Sequence, residues 1–328
     1  MAAVVGIAAW PRPLVRVLET LLVAGCYYAA GRLGLLRHLV VEGAVVAPMW
    51  PPTGVAVACL LILGLRCAPG IALGALLVVM YLSPLRPSAL GILAGNTAAP
   101  VCAYLMLRAV GFRTDLSRLR DGLALVFLGA LTAMLISAGA GAGMAVLTGE
   151  LPTDRFWPVW LAWWAGDAMG VVLVTPLLLL LYRARRPPPG TRWWEASALA
   201  LVVCVLVPLI SQTRISLLFL VFPLLIWAAL RFQLAGSLPC ALFASVLASV
   251  AATDRSGSFA RLTDVEVMMK LQAFNGAMGL TALLLSAVIT EQRNTRRSVE
   301  RACQELVEAL QHLSAGESAR NRSVEEDR

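Results

Sequence analysis

Apolar residues occur along this chain in long blocks, and the short polar segments between the blocks carry most of the arginines. Many blocks are about twenty residues long, the length that an α-helix needs to cross the ~30 Å hydrocarbon core of a bilayer. Blocks such as LALVFLGALTAMLISAGAGAGMAVL have no polar face, unlike the surface helices of a soluble domain. The pattern predicts an all-α fold, a polytopic transmembrane bundle of about 8–10 helices with a short C-terminal cytoplasmic helix.

Several of the apolar blocks are short and interrupted by Gly or Pro, which leaves the count of spans open between about eight and about ten. With every block counted, the spans are expected near residues 14–31, 52–66, 69–83, 87–109, 121–147, 156–182, 194–211, 215–231, 234–251 and 268–291.

The composition supports a membrane protein and excludes several functions. Hydrophobic residues make up 59% of the chain and charged residues 14%, against roughly a quarter charged in a soluble domain. The net charge of +8 is spread over separate arginine clusters, whereas nucleic-acid binding favours one basic face. The seven cysteines form no CxxC pair, so neither a disulfide framework nor a metal site is expected. We expect no cofactor.

The arginine clusters predict the orientation of the bundle. If the N-terminus lies inside, the dense clusters at residues 12–16, 108–120, 183–192 and 293–301 all fall on one side. Lysine and arginine gather in cytoplasmic loops, so both termini are expected to be cytoplasmic. The chain then divides into a cytoplasmic segment 1–13, a membrane domain 14–293, a cytoplasmic helix 294–313 that could form a short coiled coil, and a polar, disordered tail 314–328.

Small residues are expected to mediate contacts between the helices, because they let two backbones approach closely in lipid. The GxxxG spacing occurs at Gly70/Gly74, Gly91/Gly95, Gly139/Gly143 and Gly166/Gly170.

Asp167 is the most informative polar residue within the apolar blocks. It lies in WPVWLAWWAGDAMG, about 16 Å into its helix at 1.5 Å per residue. An ionisable group at that depth should face the interior of the bundle or a wet cavity. Asn96 lies at a similar depth, and Trp163 and Trp164 can share a helix face with Asp167. These residues form either a polar ligand pocket or a structural hydrogen bond between Asp167 and a partner such as Asn96.

The segment MWPPTG begins the second span. Proline suits the first turn of a helix and tryptophan suits the membrane interface, so the segment is interpreted either as a helix start or as a roof over the Asp167 cavity. In the second case Trp50, Pro52 and Thr53 belong to the pocket.

The last span continues without Gly or Pro into a polar helix. Its apolar residues follow a spacing typical of a coiled-coil seam, although the apolar heptads are too few to dimerise alone. This seam could relay a signal along the last helix or align two protomers as a homodimer; it comprises Leu285, Ile289, Val299, Cys303, Leu306, Leu310 and Leu313.

An ordered set of motifs resembles the membrane-associated sensor domain of the first class (MASE type 1). The set consists of WPPTG at 50–54, LGLRCAPGIALGALL at 63–77, GN at 95–96, WLAWWAGDAMGVVLVTP at 160–176, FPLLIWAALRF at 222–232 and LQAF at 271–274. In this family the GN motif is often followed by an acidic residue, but here Thr97 to Pro100 follow, so a paired-carboxylate role is not implied.

The resemblance implies a module of the bacterial inner membrane that perceives an unidentified signal and passes it along its last helix. Family members are usually fused to histidine kinases or diguanylate cyclases. Only a short polar segment follows residue 293. The chain is therefore interpreted as a fragment of a longer sensor, as the partner of a separate cytoplasmic kinase, cyclase or phosphatase, or as a relic.

Two other function classes are alternatives to a sensor. A small-solute secondary transporter could use Asp167 as an intramembrane proton or cation site, although the sequence shows no paired halves. A membrane enzyme would need a catalytic set of side chains; with His38 in an outer loop and His312 in a polar helix, none is recognised and no catalytic residue is proposed.

Overall fold

The computed structural model describes residues 12–41, 43–82, 87–183, 193–213 and 217–326, with side chains for all of these except residues 12 and 309–326. The helices are α1 (Arg12–Leu35), α2 (Pro51–Leu63), α3 (Ala68–Leu82), α4 (Pro87–Ala109), α5 (Leu119–Ala124), α6 (Met134–Leu147), α7 (Phe156–Arg183), α8 (Trp193–Gln212), α9 (Val221–Phe232), α10 (Leu234–Thr253), α11 (Asp264–Leu280) and α12 (Ser286–Glu326).

The predicted all-α, polytopic bundle is confirmed. Within the described ranges, 8 spans are long and apolar enough to cross a membrane, and two shorter apolar helices cover Pro51–Leu63 and Leu218–Phe232. The 8 long spans equal the lower number expected from the sequence, and the two shorter helices account for the higher number of about ten. The two short helices are ended by residues with positive φ, Gly64 after α2 and Gln233 after α9.

Helix α7 lies at the centre of the bundle. In its most apolar window 67% of the residues are buried inside the protein, compared with 28% for α1 and for α8. It packs against α2, α6, α10 and α11. Most side chains on α7 therefore face other parts of the protein, and a polar side chain there is shielded from lipid.

A small β-hairpin covers the end of the bundle at which α2, α4 and α7 begin. Strands β1 (Leu39–Val41) and β2 (Ala44–Val46) pair antiparallel, with Leu39 opposite Val46. Val41 and Val46 point into the protein while Val40 and Val45 are exposed. The sequence indicated only an outer loop here, because two strands of three residues depend on packing against α7 and α11.

Two segments of the long helices are π-helical. Leu125–Thr132 joins α5 to α6, and Thr281–Leu285 joins α11 to α12. Such segments are rare and are often found at functional sites. The sequence gives no signal for them, because their apolar composition is that of the α-helical turns on either side.

The last helix is longer than expected at both ends. Thr263 and Glu266 form a reciprocal capping box that starts α11 at Asp264, and α12 continues to Glu326. The sequence predicts a disordered tail over residues 314–328, and the structure describes a helix as far as Glu326. Ala, Glu and Arg in this stretch favour continuation of the helix.

Close packing through glycine occurs at three of the four GxxxG pairs. A Cβ on Gly70 or Gly74 would crowd α1, a Cβ on Gly91 or Gly95 would crowd α6, and a Cβ on Gly166 or Gly170 would meet the backbone before α2. In contrast, Gly143 has no atom within 4 Å of a Cβ position, and Gly139 meets only Trp160 at 3.9 Å. The fourth pair is therefore not a helix interface in this chain.

Candidate functional site

A cavity of about 120 Å³ lies between the hairpin and the adjoining ends of the helices. Its walls are mostly apolar, and they reach the protein surface where Val45 is 45% exposed and Leu82 is 48% exposed. The lining comprises Leu35, Val45, Ala47, Trp50, Leu82, Ile92, Asn96, Ser137, Gly141, Trp163, Gly166 and Asp167.

The polar side of the cavity is built from two hydrogen-bonded pairs. The Thr53 hydroxyl donates to Oδ1 of Asp167 at 2.6 Å, and the Ser137 hydroxyl donates to Oδ1 of Asn96 at 2.9 Å. Asp167 is 5% exposed and Thr53 is 4% exposed. Of the two alternatives left open by the sequence, a structural bond from Asp167 is present with Thr53 as its partner, and Asn96 faces the same cavity while bonded to Ser137.

The roof of the cavity is the segment that connects the hairpin to α2. The Trp50 backbone N–H donates to the Gly166 carbonyl at 2.9 Å, and the Trp163 indole N–H is 3.4 Å from the Val45 carbonyl oxygen. The side chain of Tyr27, which is fully enclosed, interacts with Trp50 and with Asp167 from the α1 side. Aromatic rings thus stand next to the carboxylate.

Glycine explains how α2 and α7 come close enough to form this site. A Cβ on Gly54 would overlap the Gly170 carbonyl oxygen, and a Cβ on Gly170 would overlap the Trp50 carbonyl oxygen. The Thr175 hydroxyl donates to the Gly54 carbonyl at 3.0 Å. The WPPTG and GDAMG motifs, far apart in sequence, therefore form one interlocked backbone contact.

The sequence-derived pocket residues fall into three groups. Trp50, Asn96, Trp163 and Asp167 line the cavity, and Thr53 reaches it through its bond to Asp167. Pro52 is buried on the side of α2 that faces Gly31 of α1, so it does not belong to the lining.

Trp164 does not face the cavity. Its indole N–H donates to the Leu131 carbonyl at 2.8 Å, in the π-helical segment, and its ring stacks on Trp160. The expectation that Trp163 and Trp164 share a face with Asp167 holds only for Trp163. One residue of separation turns a side chain by about 100° around a helix axis.

Sequence reasoning did not identify Ser137, Tyr27 or the hairpin residues. Ser137 stands within LISAGAGAG, an apolar stretch, where a lone hydroxyl is a signal for a buried hydrogen bond. The hairpin gives no such signal, since its contribution depends on a turn that brings Val45 and Ala47 over α7.

The charge of the lining is one-sided. Among the described residues that line the cavity, Asp167 is the only ionisable one. Within the described ranges, no three His, Cys, Asp or Glu side chains come together as metal ligands would. The cavity therefore presents one carboxylate, one amide and aromatic rings in a small, largely apolar space.

The cavity roof is bonded directly to the last helix. The Gln272 amide in α11 donates to the Pro48 carbonyl at 2.8 Å, two residues before Trp50. Further along the same helix, the Ser286 and Ser237 hydroxyls are 2.7 Å apart and Glu291 accepts from the Leu119 backbone N–H at 2.8 Å. Ser237 also donates to the Ala282 carbonyl within the second π-helical segment.

The predicted relay seam divides into two environments. Ile289 is buried inside the bundle and Leu285 is half-buried, whereas Val299, Cys303 and Leu306 are exposed. Leu310 and Leu313 lie outside the residues whose side chains are described. A surface open to another chain therefore begins at Val299 and not at Leu285.

Comparison with known proteins gives one match. A family model described as MASE1 matches residues 20–293, a range that contains every cavity residue described above. No curated protein and no solved structure matches the chain.

Proposed function

Because this chain belongs to the MASE1 family of membrane-associated sensory domains, we propose that its cavity around Asp167 receives the signal and that the last helix relays it. The chain is a multi-pass membrane protein with a sensory and not a catalytic family assignment. The resemblance inferred from WPPTG and WLAWWAGDAMG is confirmed by the family match.

The observation that carries the proposal is the bond from Gln272 to the Pro48 carbonyl. Pro48 belongs to the roof segment, and Trp50 within that segment lines the cavity. A ligand that displaces the roof therefore acts on α11 through one hydrogen bond. Coupling between two sites requires such a contiguous physical connection to an element with two arrangements.

The π-helical segment Thr281–Leu285 supplies an element that can change. A π turn holds one residue more than an α turn, so its loss or migration shifts the register of the helix that follows. Ser237 of α10 and Gly122 of α5 both pack against this part of the last helix. We infer that a movement of α11 changes the register or rotation of α12.

The transporter alternative has less support from the geometry. A transporter needs a path from Asp167 to the opposite face of the membrane. Beyond Asp167, the backbones of α2 and α7 touch at Gly54 and Gly170, and Thr175 is fully buried. This contact leaves no room for a solute between α2 and α7 in the observed arrangement.

The orientation and partners follow from the same proposal. We place the chain in a bacterial inner membrane with both termini in the cytoplasm, because the arginine clusters then lie inside. The exposed surface at Val299, Cys303 and Leu306 is proposed to contact a second copy of the chain or a separate cytoplasmic kinase, cyclase or phosphatase.

Hydrogen–deuterium exchange of the full chain in phospholipid nanodiscs tests the relay. The Asp167→Asn variant is expected to change exchange of the amides in residues 281–300, while those of α8 stay unchanged. Gly143→Ala, which meets no neighbouring atom, is the control and should change neither. A change confined to α2 and α7 would overturn the relay.

A further inference from the structure

We propose that the cavity around Asp167 binds a small organic ammonium ion; this inference rests on the proposed function and gives the sensor a ligand class. Four features of the cavity carry it: the charge of its lining, its aromatic rings, the position of its hydrogen-bond acceptors and its size.

The charge of the lining selects a cation. Within the part of the lining that the structure describes, Asp167 is the only ionisable residue, and Thr53 gives it a hydrogen bond from a neutral donor. A carboxylate inside a membrane bundle is stabilised by a positive partner, and proteins normally provide one when they bury such a group. Here the cavity itself offers the space for that partner. An anion entering the same space would be repelled.

The walls favour an organic cation over a metal ion. The Trp50 and Trp163 rings line the cavity together with Leu35, Leu82 and Ile92. A hard metal cation such as Ca²⁺ takes about six to eight oxygen ligands, more than the few side-chain oxygens of this lining supply. An ammonium ion with alkyl groups gains apolar contact with the same walls, and it is attracted to a tryptophan face within about 6 Å.

The acceptors suit more than one N–H donor. Asn96 Oδ1 accepts from Ser137, and an amide oxygen has a second lone pair. The Ser137 hydroxyl that donates to Asn96 also interacts with Asp167, so the two acceptors border the same part of the cavity and one ammonium group can donate to both. The ligand's alkyl part would then point toward the rings and toward the opening at Val45 and Leu82.

The size of the cavity limits the ligand. Its volume is about 120 Å³, enough for roughly ten water-sized spheres at about 10–15 Å³ each. Ethylammonium fits this space, whereas tetrapropylammonium does not. Most pockets for drug-sized ligands are several times larger, so the ligand is a small metabolite-like amine.

Equilibrium binding of radiolabelled ethylammonium to the full chain in nanodiscs tests the inference. We expect saturable binding that unlabelled ethylammonium displaces and that tetrapropylammonium, propionate and sodium chloride at matched ionic strength do not. Asp167→Asn is expected to weaken binding at least tenfold. Asp154→Asn, which alters an exposed carboxylate at the same end of α7, should leave it unchanged.

A second variant covers the case in which Asp167→Asn fails to fold. Ile92→Phe fills the cavity from its apolar side without touching the carboxylate, and it should also abolish binding at an unchanged melting temperature. Absent binding, equal binding to Asp167→Asn when that variant is folded, or displacement by sodium would overturn the inference. If one of these results is obtained while Asp167→Asn still changes exchange in residues 281–300, only the ligand class is refuted. If that exchange response is absent, the proposed relay is refuted.

Discussion

The hydroxyl of Thr53 in α2 donates a 2.6 Å hydrogen bond to the carboxylate of Asp167 in α7, and both residues are buried. The two residues are 114 positions apart in the sequence. Their bond joins the two motifs that make the sequence recognisable, WPPTG and GDAMG. It also fixes one oxygen of the carboxylate while the residue still faces the cavity.

The Thr53–Asp167 bond is expected to contribute measurably to stability. Thr53→Val keeps the shape of the side chain but removes the donor, and leaving a buried acceptor unpaired costs about 1–3 kcal/mol of the free energy of unfolding. A double-mutant cycle with Asp167→Ala, which removes the acceptor, should give a coupling energy of about 0.5–3 kcal/mol, measured by unfolding in detergent micelles. Strictly additive effects would show that the bond is not formed.

Gly170 is expected to tolerate no side chain. A Cβ there would overlap the Trp50 carbonyl oxygen, and backbone atoms cannot move aside as a flexible side chain can. Overpacking of this kind costs about 1–3 kcal/mol, so Gly170→Ala should lower the melting temperature. Gly143→Ala is the matched control on a neighbouring helix, with an expected effect within about 0.5 kcal/mol. Equal effects at the two positions would contradict the interlocked contact.

The orientation of the chain can be tested with single cysteines. In a Cys26→Ala, Cys204→Ala background, Cys303 is the one exposed cysteine left within the described residues. A membrane-impermeant maleimide should label it in inverted vesicles and not in right-side-out vesicles. In that background with Cys303→Ser added, Val40→Cys in the hairpin should show the opposite pattern. Labelling of both positions from one side would refute the orientation.

The membrane-spanning helices and the approximate position of the polar site could be predicted from the sequence. Length and apolarity define the spans, because lipid requires each crossing segment to satisfy its own backbone hydrogen bonds. The depth of Asp167 and of Asn96 follows from counting residues along a helix. Those two steps place a polar site about 16 Å into the membrane-spanning helices, without any knowledge of how the helices pack.

The partners within the site could not be predicted in the same way. Thr53 was among the candidates, yet nothing in the sequence says that it and not Asn96 meets Asp167, because that depends on the close approach at Gly54 and Gly170. Trp163 and Trp164 are equivalent by spacing, but only one faces the cavity. The π-helical segments depend on tertiary contacts, such as the bond from Trp164 to the Leu131 carbonyl.

We propose that the cavity communicates with the last helix through Gln272. Gln272→Met keeps the length of the side chain but cannot donate to the Pro48 carbonyl, so the connection is lost while the lining of the cavity is unaltered. Gly143→Ala again serves as the control background. Each background is compared with and without Asp167→Asn by hydrogen–deuterium exchange in nanodiscs.

In the Gln272→Met background, we predict that Asp167→Asn still changes exchange in α2 and α7 but no longer changes it in residues 281–300. In the Gly143→Ala background both changes should persist. An undiminished response of residues 281–300 without the Gln272 amide would show that the signal does not pass through Gln272.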